Sequence, residues 1–93
     1  MSYNFSVACY RKDQYQLLLE NAVDADSMDD TWEYWKKNKD KTIRRFKKQG
    51  MNCTEMEIDV NELIEYCRKN NKPNNGATRS EYVSWLSMLR NKQ

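Results

Sequence analysis

No histidine occurs among the 93 residues, glycine occurs twice and proline once. Without histidine, every mechanism that needs an imidazole as base, nucleophile partner or metal ligand is excluded. The three cysteines, Cys9, Cys53 and Cys67, form no C-x-x-C pair, so one chain lacks the four Cys or His ligands of a structural zinc site. Two glycines cannot build a phosphate-cradling loop, and neither a Walker A nor a dinucleotide fingerprint is present. No catalytic residue, cofactor or metal is therefore expected, and the chain is read as a non-enzyme. Long apolar runs are missing too. The longest aliphatic run is Leu17-Leu18-Leu19, against the roughly 20 apolar residues of a membrane-spanning helix. Met1 to Tyr10 lacks the basic start and apolar stretch of a secretory signal. These features predict a soluble cytoplasmic protein without a membrane partner.

What is present suffices for a fold. The hydrophobic fraction is 39% and the mean hydropathy −1.09, but 16 basic residues nearly cancel 14 acidic ones to leave +2. Disorder requires low hydrophobicity together with high net charge, and the second condition fails. Three Trp, six Tyr and two Phe supply material for a core. The length suits one domain over 1–93, and nothing resembling a linker divides it.

Periodicity predicts a helix-rich α+β domain. Asn4 to Tyr10 alternates, as in a short strand, and Lys12 to Val23 places Tyr15, Leu18, Leu19 and Ala22 at helical spacing. Asp30-x-x-Glu33 reads as a capping box for a long helix from Thr31 to about Gln49, stopped by Gly50. Its apolar stripe is Trp32, Trp35, Thr42, Ile43 and Phe46, with Lys39 on the same side. Met51 to Asp59 alternates again: Met56 and Ile58 take one face and Glu55, Glu57 and Asp59 the wet one. Asp59 opens a helix in which Val60, Leu63, Ile64 and Cys67 follow the i, i+3, i+4, i+7 rule, which makes Cys67 a small buried hydrophobe. Lys72-Pro73-Asn74-Asn75-Gly76 reads as a turn with a positive φ at Asn-Gly. A last helix is capped at Thr78-x-x-Glu81 and buries Tyr82, Val83, Trp85, Leu86 and Leu89. The order is β-α-α-β-α-α, about four helices with one or two short strands, and the strands are most simply parallel neighbours. The two halves share no sequence identity that would mark a repeat.

Asp59 to Leu89, a helix, a Pro- and Gly-containing loop and a capped helix, loosely resembles the SAP motif, a short helix-loop-helix DNA-binding unit. Leu63, Pro73, Gly76 and Leu86 carry the resemblance over about a third of the chain. The segment after Gly76 is one residue too long and Thr78 replaces a basic residue, so no functional residue is carried over.

Charge is segregated along the chain. Glu20 to Glu33 and Glu55 to Glu65 contain acids and no bases, whereas Lys36 to Lys48 holds eight bases against Asp40 alone. On the long helix Lys37, Lys41, Arg44, Arg45 and Lys48 fall opposite the apolar stripe, with Tyr34 at the N-terminal end of that face. Such a face can track a phosphate backbone or dock an acidic protein. It can equally be a solvated face held by the helix dipole, by Glu33 to Lys37 and Asp40 to Arg44 pairs, and by acidic segments folding back on it. Asp24-x-Asp26-x-x-Asp29-Asp30 fails as a calcium loop, because Met28, Asp29 and Trp35 occupy its fifth, sixth and twelfth positions. Alternating Glu55 and Glu57 mark the wet side of a strand. The expected function is a small binding module acting through protein contacts, as a homodimer or as a regulator or inhibitor of a larger machine. The alternative is nucleic-acid binding by the same basic face.

Overall fold

Two eight-residue strands, β1 (Tyr3–Tyr10) and β2 (Met51–Ile58), pair in parallel, each β1 residue with the residue 48 positions further on, from Tyr3↔Met51 to Tyr10↔Ile58. The computed structural model describes residues 3–91, with side chains over 4–90. Between and after the strands come α1 (Lys12–Asn21), a 3-10 turn (Ala25–Ser27), α2 (Trp32–Lys48), α3 (Val60–Lys69) and α4 (Gly76–Asn91). The β-α-α-β-α-α order is as the sequence predicts. Parallel strands need a long crossover, and α1 with α2 supplies it.

Paired residues share a face, so Phe5, Val7, Cys9 and Glu55 lie on one side of the ribbon and Ser6, Ala8, Met56 and Ile58 on the other. Helix α2 covers the first side. Its Phe46 meets Phe5 edge-to-face with ring centroids 4.8 Å apart. Helix α4 covers the second, where Ser6 Oγ donates to Ser87 Oγ at 3.1 Å. Helix α2 lies mainly on β2, and α4 mainly on β1. In topology the two βαα halves are thus related by a half-turn about an axis along the strands, and their helices are similar in length: 10 and 10 residues for α1 and α3, 17 and 16 for α2 and α4. Two strands are a marginal sheet alone; here helices cover both faces.

Helices α1 and α3 start at the neighbouring C-terminal ends of the strands and pack on each other. Leu18, Ile58, Val60 and Leu63 are fully buried there, with Tyr15, Met56, Cys67, Tyr82 and Val83 around them. A buried polar residue, Gln14, joins the two helices: its Oε1 accepts from Val60 N–H at 3.0 Å and its Nε2 donates to Asp59 Oδ1 at 3.3 Å. Asp59 caps α3 as predicted, accepting from Asn61 N–H at 2.9 Å.

Several local expectations shift. The α2 cap is Thr31, not Asp30; its hydroxyl accepts from Tyr34 N–H, while Glu33 pairs across to Lys12 on α1 at 2.8 Å. Helix α4 starts at Gly76 rather than after Thr78, because Asn75 Oδ1 accepts from Thr78 N–H at 3.0 Å. Thr78 is buried, and Glu81 pairs with Lys72. The positive φ expected at Asn-Gly falls instead on Asn71, at 52°, where α3 ends. Lys72 N–H then reaches back to the Cys67 carbonyl, a turn that needs the left-handed residue. Gly50 stops α2 as predicted, with φ 83°. Helix α1 ends at Asn21, two residues early, because Ala22 is extended and Val23 N–H donates to the Asn74 carbonyl at 3.0 Å. That diversion brings Asp24 to Arg79.

Candidate interaction surface on the second helix

Helix α2 forms because Thr31 caps it and a narrow apolar stripe anchors it. Ile43 is buried, and Trp32, Trp35, Thr42 and Phe46 are half-buried beside it. The indole N–H of Trp32 donates to the Tyr10 carbonyl at 2.7 Å. Trp35 packs between Tyr10 and Tyr15, its centroid 5.3 and 6.0 Å from theirs. These contacts fix the rotation of the helix about its axis, and so the direction of its opposite face.

That opposite face carries Lys37, Lys41, Arg44, Arg45 and Lys48, and all five are exposed. At about 1.5 Å of rise per residue they form a ridge roughly 16 Å long. Tyr34 is 62% exposed on the same face. None of the five makes an ion pair among the described residues, which overturns the two arrangements that would have neutralised them. Glu33 binds Lys12 rather than Lys37, and Asp40 binds Lys36 and Lys39 at 3.1 and 3.4 Å rather than Arg44. The acidic segments do not fold over the ridge either. Asp24 is held by Arg79, Asp29 Oδ1 accepts from Asn38, and Glu55 is taken by Lys39 at 2.5 Å. Of the five, Arg45 makes a cation–π contact among the described residues, its guanidinium lying 5.7 Å from the Phe46 centroid.

Lys39 is the basic residue of α2 that turns inward. Its side chain is 11% exposed, over Trp35 and between Glu55 and Asp40. Burial works against its ammonium charge, but Glu55, Cys9 and Asp40 outweigh it and lift its pKa. The Lys39 ammonium in turn holds the Glu55 carboxyl below its usual range. Cys9 Sγ donates to Glu55 Oε1 at 3.3 Å, with Lys39 Nζ 3.8 Å from the sulfur. Burial first, then the hydrogen bond to Glu55, push the thiol up to about 11. Cys9 therefore stays protonated at neutral pH, and the cluster fastens α2 to the sheet instead of activating a nucleophile. Cys67 is buried as expected, with its thiol raised by burial.

Asp24 and Arg79 make a second cluster that sequence periodicity does not reveal. The Asp24 carboxylate accepts from two guanidinium nitrogens at 3.0 and 2.8 Å and from Gly76 N–H at 3.1 Å. Arg79 hydrogen bonding draws the Asp24 carboxyl below its ordinary value. The first acid of the would-be calcium loop is thus occupied by a cation of the chain itself.

On α4 the structure corrects two core assignments: Trp85 and Leu89, expected inside, are 45% and 44% exposed, and Met88 is 58% exposed. A scan against family models, a search of curated proteins and a search of solved structures each found no match. No helix among the described residues is long and apolar enough to cross a membrane.

Proposed function

We propose that this protein is a non-catalytic binding module that docks an acidic protein surface along the α2 ridge. The observation that carries the reading is that Lys37, Lys41, Arg44, Arg45 and Lys48 are exposed while the acids nearest in sequence are paired elsewhere. Five like charges along one helix repel one another, and an anionic partner relieves that repulsion. The ridge is one helix wide. Glu33 and Asp40 lie together along one edge of it, at roughly 60–80° from its centre by the 100° helical period. A narrow acidic helix or segment can seat on the basic residues beside that edge, whereas the broad phosphate surface of a duplex would also meet the two carboxylates. The expected setting is the cytoplasm, where unpaired thiols such as Cys9, Cys53 and Cys67 persist. In that setting the module serves as a regulator or inhibitor of the protein it docks on.

Nucleic-acid binding is the second reading, favoured by Tyr34, whose exposed ring on the basic face offers a stacking platform. Fluorescence anisotropy with a labelled oligoglutamate peptide and, separately, a labelled DNA duplex distinguishes the two. The peptide should bind at low salt, and a Lys41→Glu, Arg44→Glu, Arg45→Glu variant with unchanged helical circular dichroism should lose it. Unchanged peptide binding by that folded variant sinks the assignment of the ridge. Duplex binding that weakens with a log-log salt slope of about −4 to −5, as for some five phosphate contacts, transfers the ridge to nucleic acid.

A further inference from the structure

The outer side of α4 is more apolar than one chain can use. Tyr82 and Val83 are buried and Leu86 half-buried against the core, yet Trp85, Met88 and Leu89 add a second row. With 100° per residue the six span an arc of roughly 220°, about twice the stripe that seats a surface helix on its own domain. The second row continues into a groove between α3 and α4 of about 770 Å³, floored by Tyr66, Tyr82 and Trp85. The three rings pack together with centroids 4.9 to 5.9 Å apart, forming a rigid surface. Preformed aromatic and methionine surface of this kind is enriched at the centres of protein interfaces.

The rim of the groove says what covers it. Glu62 and Lys69 line it seven residues apart, two turns along one side of α3. Neither makes an ion pair among the described residues, whereas their neighbours are satisfied within the chain, Glu65 by Arg68 and Glu81 by Lys72. A strip negative at one end and positive at the other is complementary to the same strip reversed. An acidic or basic foreign segment would be opposed at one end, and an uncharged one would leave both charges without partners.

We infer that the α3–α4 face is an isologous interface between two copies of this chain, with the α3 helices antiparallel and Glu62 of each copy meeting Lys69 of the other across the two-fold. Trp85, Met88 and Leu89 form its apolar centre, as closed two-fold symmetry requires the same patch on both sides. Helix α2 lies on the other face of the sheet, so the basic ridge stays uncovered and the inference stands independently of the proposed docking function.

Sedimentation equilibrium of the intact protein, from micromolar to millimolar, tests it. A species of twice the 11.2 kDa chain mass is expected. Met88→Glu, at a position 58% exposed and free to change without unfolding the chain, should return the monomer with unaltered circular dichroism. Glu62→Lys places like charges together on both sides of the axis and should raise the dissociation constant at least roughly tenfold. Lys69→Glu should do the same, and the two changes combined should restore the original value. A wild type that stays monomeric, or a dimer indifferent to Met88→Glu, overturns the interface. Failure of the double exchange to restore association overturns the antiparallel arrangement.

Discussion

Replacing Asp24 by Asn should destabilise the fold by about 2 to 3 kcal/mol. The figure follows from what Arg79 loses. Its side chain is 11% exposed and gives two hydrogen bonds to the Asp24 carboxylate; its other acceptors among the described residues are the Asn74 carbonyl and Oδ1, at 3.1 and 3.0 Å. Breaking a fully buried pair by deleting one partner costs about 3 to 5 kcal/mol. Asp24 is 29% exposed, so water can approach the orphaned guanidinium, and the lower end applies. For a chain of this size each kcal/mol moves the melting midpoint by about 4 to 8 °C, so a drop of about 10 to 20 °C is expected. Urea unfolding followed by tryptophan fluorescence measures the free energy directly. Trp32 and Trp35, packed near Tyr10 and Tyr15, report loss of the core. The pH dependence carries the sign. Because the folded-state pKa of Asp24 is depressed, its contribution is complete above the unfolded value of about 3.9 and is lost as pH falls through the lower folded value. The gap between wild type and variant should thus be flat from weakly acidic to neutral pH and close in strong acid. A loss under about 0.5 kcal/mol, the range of ordinary surface changes, would refute the claim that this pair ties the 3-10 turn to α4.

Three further outcomes follow from packing and chemistry. Leu18→Ala should cost about 3 kcal/mol in the same urea assay, since the side chain is fully buried and its removal leaves a cavity. Thr31→Ala should cost about 1 kcal/mol by removing the α2 cap, whereas Asp30→Ala should cost a few tenths at most by comparison; the reverse ranking would restore Asp30 as the cap. A rise in the Cys9 pKa from 9.0 to about 11 leaves roughly a hundredfold less thiolate at pH 8 than an ordinary cysteine holds. Iodoacetamide labelling with peptide mapping should therefore find Cys9 slower in the native than in the urea-unfolded protein, and Glu55→Gln, which removes the charged acceptor of its hydrogen bond, should speed the native reaction up. Equal rates for Cys9 in native and urea-unfolded protein would contradict the cluster.

The element order was legible because amphipathic period is a local property. Val60, Leu63 and Cys67 recur at helical spacing and all three are buried; Met56 and Ile58 alternate with glutamates and are buried too. Cap positions were not fixed by the same reasoning. Asp30 and Thr31 both carry side chains able to accept from a helix N-terminus, as do Asn75 and Thr78, and only the path of the preceding chain selects between them. Ion pairs failed for a related reason. Helical spacing puts Glu33 within reach of Lys37, but the packing of α1 against α2 brings Lys12 closer. For the candidate surface, the orientation of the five bases was legible from their position opposite Trp32, Trp35, Ile43 and Phe46, while their freedom from acidic partners required the tertiary fold. Lys39 did leave a signal, a lone lysine within an apolar stripe. The exposure of Trp85 and Leu89 left none, because a wide apolar arc does not say which part of it faces the domain.

The internal two-fold explains why the halves look unlike in sequence. Symmetry of the backbone asks only that each crossover helix present side chains of suitable size to its face of the sheet. On one face Phe5 and Phe46 meet this need with rings 4.8 Å apart, and on the other Ser6 and Ser87 meet it with a hydroxyl contact of 3.1 Å. Helix α2 sits on its face through Trp35, Ile43 and Phe46 with the half-buried Lys39 among them; α4 sits on its own through Tyr82, Val83 and small hydroxyls. Neither solution constrains the outward side of its helix. The outward sides have consequently taken opposite characters, five exposed bases on α2 and three exposed apolar residues on α4. A charged ridge and an apolar patch on opposite faces of one thin sheet can each be altered without touching the other's supports. That separation is what allows substitutions such as Met88→Glu and the α2 charge reversals to be read as effects on binding, not on folding.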